Sequence, residues 1–152
     1  MHPPLDRLNK SRARLLAVVE PLTEDDLDRP AAGDWTIRQI LSHLVTSEED
    51  HRQVIEVIVQ GKADRLPREF ALDAHNARRL AELGQLSREA LLAALAKQRA
   101  QTVALVQRLD EAALAQRGPH PALGEMSVDD IFRIIAVHEQ RHLRDIQAAL
   151  RA

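Results

Sequence analysis

Four segments of the chain carry aliphatic residues at helical spacing, and this pattern restricts the possible fold more than any other feature. Leu and Ala recur throughout and favour helix, while aromatic residues make up only 2% of the chain, so aliphatic side chains must build the core. No segment shows the alternation of apolar and polar residues that predicts a strand. The sequence therefore predicts an all-α fold, a four-helix bundle formed as a single domain over residues 1–152. The helices are expected over about 5–20, 36–61, 87–109 and from 127 onward.

The predicted helix boundaries carry capping signals and leave one long connection. Thr36 and Gln39 have the spacing of a capping box, and Ser127 is followed by acidic residues that favour the positive end of a helix dipole. Between the second and third helices, residues 62–86 form an irregular stretch with a short helix over 73–83. Connections of this length are often functional, so we expect a long crossover there.

The last predicted helix reads His-Glu-Gln-Arg-His over residues 138–142. Two histidines four positions apart share one helix face, with Cβ atoms about 5–6 Å apart, and both can bind one metal ion. His138 and His142 also continue the apolar stripe that includes Ile135, so they are expected to point into the bundle. Because two unpartnered imidazoles would be unfavourable there, the sequence indicates two ligands of a metal site.

A third ligand must come from another helix. His43 borders the apolar stripe of the second helix, and facing helices of a bundle meet at core sites. His51 lies two turns further along the same helix and remains an alternative. His2, His75 and His120 fall in a terminus or in loops, where we expect them to be exposed.

The same five residues match the H-E-x-x-H signature of zinc proteases, in which the glutamate acts as general base. Those enzymes take a third ligand from downstream of the motif, but here only Asp145 follows, too close on the same helix. Glu139 is rotated by about 100° from His138 and either reaches the site as a catalytic residue or faces solvent. The protease interpretation is therefore disfavoured, and the role of Glu139 stays open.

Charge and composition argue against several other classes of protein. The formal net charge of −2 gives no reason to expect a nucleic-acid partner. The chain has no cysteine, which excludes disulfides, thiolate ligands and an internal thiol nucleophile, and agrees with a cytoplasmic location. Charged residues interrupt the N-terminal segment, so neither a signal peptide nor a membrane span is expected.

Three stretches of the sequence resemble the DinB/YfiT-like superfamily. Residues 33–44 are similar to its W-[ST]-x-x-[EQ]-[IV]-[IL]-x-H-[LIV] stretch, residues 120–127 to the loop before its last helix, and residues 138–146 to its H-x-x-x-H-[LI] helix. The resemblance covers about residues 5–150. It implies a four-helix bundle with a long crossover and a divalent metal bound by His43, His138 and His142. It thus favours His43 over His51, and it also implies a homodimer.

Characterised members of this family include metal-dependent thiol S-transferases and a mycothiol-dependent maleylpyruvate isomerase. The resemblance therefore implies an enzyme that transfers a low-molecular-weight thiol to an electrophilic small molecule. Because the chain lacks cysteine, the thiol would be a cosubstrate. Three imidazoles suit Zn, Ni, Cu or Fe, so the sequence does not identify the ion. Two alternatives stay open: a metal-dependent hydrolase, and a non-catalytic metal-binding protein that acts in dimerisation or stress.

Overall fold

The computed structural model describes residues 2–152, and helices make up most of it. In chain order the elements are α1 (Pro3–Val19), α2 (Glu24–Leu27), α3 (Ile37–Val59), α4 (Leu72–Leu83), α5 (Arg88–Arg108), α6 (Glu111–Ala115), β1 (Arg117–His120), β2 (Gly124–Ser127) and α7 (Val128–Arg151). The four long helices α1, α3, α5 and α7 confirm the predicted four-helix bundle. None of the helices within residues 2–152 is long and apolar enough to cross a membrane.

Side-chain caps begin the two helices that carry the candidate ligands. The Thr36 hydroxyl accepts the Gln39 backbone N–H, and the Gln39 side chain accepts the Thr36 backbone N–H, so the predicted capping box is present. Ser127 and Asp130 make the same reciprocal pair at the start of α7. Both caps satisfy backbone N–H groups that a first helical turn leaves free, and they fix where α3 and α7 begin.

The bundle buries its aliphatic residues in two clusters with a polar layer between them. One cluster includes Leu15, Ile40, Leu91 and Ile146, and the other includes Leu8, Ile55, Leu105 and Ile135. The layer between them consists of buried polar side chains from the middle of each long helix: Ser11, Arg12, Glu48, Arg52, Gln98, Arg99, Thr102 and Glu139. Polar chemistry is therefore concentrated halfway along the bundle.

A short β-hairpin precedes α7, so the expectation that the chain contains no strand was wrong. β1 and β2 pair antiparallel with His120 opposite Gly124, and Gly124 adopts a φ of 86°, which favours glycine. Gly118 lies so close to Ile58 of α3 that a Cβ there would come within 2.6 Å of Ile58 Cγ1. Gly118, one of the residues that indicated a loop, instead allows β1 to lie directly against α3.

The long connection contains the predicted short helix, α4, and α4 lies against α3. None of the α4 residues is buried. Polar side chains join the two helices: Arg79 forms ion pairs with Glu49 and Asp50, and His75 donates a hydrogen bond to Asp50. The crossover thus forms an outer cover of α3 rather than part of the core.

Candidate metal centre

Three histidine side chains meet between α3 and α7. The Nε2 atoms of His43 and His142 each lie 3.1 Å from Nε2 of His138. One ring nitrogen from each residue lies within 4.8 Å of the other two, and residues 2–152 contain no other group of three potential His or carboxylate ligands this close. The structure therefore brings together the three histidines that the resemblance implies, while metal binding by them stays a prediction.

The chemistry of this group fits a divalent ion. A neutral imidazole has one N–H and one lone pair, so three converging Nε2 atoms cannot all satisfy one another. Metal–nitrogen bonds of about 2.0–2.1 Å in tetrahedral geometry would place ligand nitrogens roughly 3.3 Å apart, close to the spacing of 3.1 Å in the structure. Small side-chain movements would therefore bring all three nitrogens onto one ion.

Helix geometry and one aromatic ring position the three imidazoles. His138 and His142 lie one turn apart on α7, with ring centroids 4.6 Å apart and planes nearly perpendicular. The ring of Trp35, just before α3, lies 4.8 Å from the His43 ring and 6.4 Å from the His142 ring. Trp35 therefore covers one side of the group and limits its contact with water.

Burial keeps all three histidines neutral at pH 7. It lowers the pKa of His43 to about 3 and that of His138 to about 2, and the neighbouring imidazoles contribute to both shifts. The pKa of His142 is also lowered, mainly by burial, although the Asp145 carboxylate opposes this shift. Metal ligation requires the neutral imidazole, so the site would bind an ion at neutral pH without first releasing protons from these rings.

Asp145 is positioned to support one of the candidate ligands. Its Oδ2 atom lies 3.4 Å from Nδ1 of His142, although the two groups are not aligned as a hydrogen bond. A carboxylate behind a ligating imidazole orients the ring and raises its basicity. Asp145, which lies too close along the helix to be the third ligand, thus lies beside a candidate ligand.

We expect Asp145→Asn to weaken zinc binding about tenfold, at the lower end of the effects seen when such supporting carboxylates are removed. Competition with a chromophoric chelator measures the affinity. Glu89→Gln is the matched control, because the Glu89 side chain is 80% exposed and belongs to α5, which carries none of the three histidines. An Asp145→Asn protein with wild-type zinc affinity would show that this carboxylate does not support the site.

Glu139 lies in the polar layer and not in the three-histidine group. It is 2% exposed, and its carboxylate accepts hydrogen bonds from Ser11, Arg12 and Arg99. Glu48 of α3 is bound by the same two arginines. Glu139 therefore neither faces solvent nor stands among the candidate ligands, because two arginines bind its Oε2 atom and the Ser11 hydroxyl binds its Oε1 atom.

His51 and His120 form a second imidazole pair, with Nε2 atoms 2.9 Å apart. His120 is only 7% exposed, so the expectation of an exposed loop residue was wrong, because β1 lies against α3. His75 is also not an exposed loop residue, since it is half-buried in α4 and donates to Asp50. His2 is half-buried next to α1. His51 is the alternative ligand considered above, and the structure pairs it with His120 outside the group of three.

Similarity to known proteins extends over nearly the whole chain. A sequence model of the DinB superfamily matches residues 7–146. Protein YuaE of Bacillus subtilis, which is uncharacterized, is 24% identical over 149 residues, covering 91% of this chain and 92% of YuaE.

Two solved structures share the fold. YfiT from Bacillus subtilis, described as a probable metal-dependent hydrolase with an unusual four-helix bundle topology, superposes with a TM-score of 0.76 at 20% identity, covering 98% of this chain and 85% of YfiT. A mycothiol-dependent maleylpyruvate isomerase gives a TM-score of 0.78 at 13% identity, covering 95% of this chain and 60% of that protein. Because the family model matches residues 7–146, nearly the whole chain, the chain belongs to the DinB superfamily.

Proposed function

We propose that the protein is a metal-dependent enzyme that transfers a low-molecular-weight thiol to an electrophilic small molecule. The convergence of three neutral imidazole nitrogens at one point carries this proposal. A divalent ion held by three imidazoles keeps an open position and lowers the pKa of a thiol or water that it binds, which supplies a nucleophile at neutral pH.

The chain's own residues would prepare this chemistry in two ways. His43, His138 and His142 would hold the ion, because their imidazole rings are already in the neutral form that ligation needs. Trp35 restricts water on one side. Because the chain has no cysteine, sulfur must enter on a cosubstrate. In the transfer the thiol loses its proton, the sulfur bonds to the electrophilic carbon, and the leaving group departs with the bonding pair and takes up a proton.

Metal-dependent hydrolysis is the second candidate, and the description of YfiT favours it. Thiol transfer draws support from the isomerase, which is mycothiol-dependent. A non-catalytic metal-binding protein is the third candidate. The resident ion would be zinc, nickel or iron. A homodimer and a cytoplasmic location belong to the same proposal.

The first test uses tryptophan fluorescence to detect metal binding. The chain has one tryptophan and no tyrosine, and Trp35 lies beside His43, so the emission reports directly on the site. We expect Ni²⁺ to quench the emission with a stoichiometry of one, and Zn²⁺ to reverse the quenching by competition. His138→Ala should abolish saturable quenching, whereas His2→Ala, the same change away from the site, should leave it intact. Saturable quenching that survives His138→Ala would contradict the proposed ligand set.

The second test separates the three candidate functions. Zinc-loaded protein is incubated with glutathione or bacillithiol and 1-chloro-2,4-dinitrobenzene, and separately with activated esters without thiol. We expect thiol-dependent release of chloride that disappears in His138→Ala. Ester hydrolysis without thiol would favour the hydrolase, and bound metal without turnover of either kind would favour the non-catalytic protein.

A further inference from the structure

A pocket lies between α3, α4 and the tip of the hairpin, next to the three histidines. Its volume is about 60 Å³, and it opens to solvent on one side. Val54, Phe70, Leu72 and Ala122 give it mainly apolar walls, and His51 and His120 stand at its edge. The long crossover supplies Phe70 and Leu72, and Leu72 is 42% exposed at the surface. This crossover segment therefore forms one wall of a cavity.

The hydrogen bonds of the two imidazoles at this edge settle where their protons lie. Nδ1 of His120 accepts the backbone N–H groups of Ala122 and Leu123 at 3.0 and 3.1 Å, so its proton is on Nε2. Nδ1 of His51 donates to the Ser47 carbonyl at 2.7 Å, which leaves a lone pair on Nε2. His120 therefore donates to His51 across 2.9 Å, and both rings are neutral and fully paired.

The charged groups around the pocket are also paired with one another. Asp50 accepts from His75 at 2.7 Å and lies 3.3 Å from Arg79. Arg79 is further bound to Glu49 and Glu82. Among the described residues that line the pocket, Asp50 is the only acidic or basic side chain apart from the histidines, and it is already paired, so the walls offer no free cation to a carboxylate or phosphate and no free anion to an amine. An isolated charge brought into this apolar space would lose hydration without gaining a partner.

The pocket leads toward the three histidines. Ser47 and His51 line both this pocket and a narrow space of about 10 Å³ against His138. The ring centroids of His51 and His138 are 6.4 Å apart. A molecule whose apolar end lies among Val54, Phe70 and Leu72 would have its other end beside His51, about one ring width from the candidate ligands.

We propose that this pocket binds the apolar part of an uncharged small molecule, and that the reactive end of this molecule lies at His51, facing the three histidines. That the molecule is the electrophile of the transfer rests on the proposed function. The preference for an uncharged apolar ligand is independent of the proposed function, because it follows from the apolar walls and the paired charges alone.

Three probes of similar size and different charge test whether the pocket prefers an uncharged ligand: benzamide, benzoate and benzamidinium. Binding to metal-free wild-type protein is measured from NMR chemical-shift titrations. We expect benzamide to bind at least tenfold more tightly than either charged probe. Equal or tighter binding of benzoate or benzamidinium would overturn the proposal, and so would the absence of benzamide binding up to its solubility limit.

A space-filling variant tests the location. Ala122→Leu places a larger side chain at the exposed rim of the pocket and should reduce benzamide affinity at least tenfold. Ala148→Leu, at an exposed position of α7 remote from the pocket, is the matched control and should bind benzamide as wild type does. Benzamide affinity that is unchanged in Ala122→Leu would place the probe elsewhere and overturn the proposal. The charge series on wild-type protein remains decisive should the variant not fold.

The proposed ligand pocket and the proposed function can be refuted independently of each other. Benzamide binding should persist in His138→Ala, which lacks a complete metal site. Pocket binding together with no thiol transfer by the zinc-loaded protein would refute the function and leave the pocket. Thiol transfer that prefers charged electrophiles and is unaffected by Ala122→Leu would refute the pocket and leave the function.

Discussion

Glu139→Ala should destabilise the protein by about 3–5 kcal/mol, the range found when one partner of a buried ion pair is removed. In the polar layer, Arg12 and Arg99 are balanced by the carboxylates of Glu48 and Glu139, and only 3–4% of either carboxylate side chain is exposed. Without Glu139, two buried guanidinium groups share one carboxylate. Urea unfolding measures the loss as a lower midpoint at an unchanged slope.

An exposed ion pair provides the matched control for this prediction. Glu82 accepts from Arg79 at 2.9 Å but is 50% exposed, so Glu82→Ala should change the free energy of unfolding by less than about 1 kcal/mol. Similar losses in the two variants would show that the buried layer has no special importance for stability.

A double substitution tests whether charge balance is the cause. Arg12→Met combined with Glu139→Leu leaves one arginine with one carboxylate, so the double variant should lose less stability than the sum of the two single variants. The expected coupling is about 1–3 kcal/mol, within the range for residues in contact. Strict additivity would indicate that Arg12 and Glu139 stabilise the bundle independently.

The long helices and the three histidines could be predicted because their signals are local. Thr36 and Ser127 mark helix starts by chemistry that acts within four residues, and the periodic aliphatic residues mark the buried faces. His138 and His142 share a face for the same local reason. His43 was one of two candidates on its helix until the resemblance favoured it, because the relative rotation of α3 and α7 is not a local property.

The polar layer and the hairpin depend on contacts between segments distant in sequence. Arg12 interrupts the apolar stripe of α1, Glu48 that of α3 and Arg99 that of α5, but a single helix gives no reason to pair them. Their partners lie 36 to 127 positions away. The pairing of His51 with His120 likewise requires β1 to lie on α3, which becomes possible because Gly118 carries no Cβ. An interrupted stripe on each of several helices is the one signal that could have suggested the layer.

Lowering the pH from 7.5 to 5.5 should reduce the free energy of unfolding of the metal-free protein by at least about 4 kcal/mol. Burial lowers the pKa of His43 to about 3, of His138 to about 2 and of His120 to about 4, against about 6.5 in an unfolded chain. Well above pH 6.5 these histidines are neutral in both the folded and the unfolded state, so the free energy of unfolding does not depend on their titration. Below it the unfolded state binds protons that the folded state refuses, so each of these histidines removes about 1.4 kcal/mol at pH 5.5.

Carboxylates do not account for a loss in this window. Burial raises the pKa of Glu48, but hydrogen bonding and ion pairing with Arg99 outweigh it, so the pKa lies below its value in the unfolded chain. Glu48 therefore stabilises the folded state at any pH above the pKa of the unfolded chain, and this stabilisation is lost only as the pH falls below that value. Urea unfolding at both pH values, with a chelator present, measures the loss. His43→Gln combined with His138→Gln removes two of these histidines, so the loss of stability in this variant should be smaller than in the wild type by about 2.7 kcal/mol. An equal loss in both proteins would mean that these two imidazoles are already protonated in the folded state at pH 5.5, and therefore that the site is more hydrated than its burial indicates.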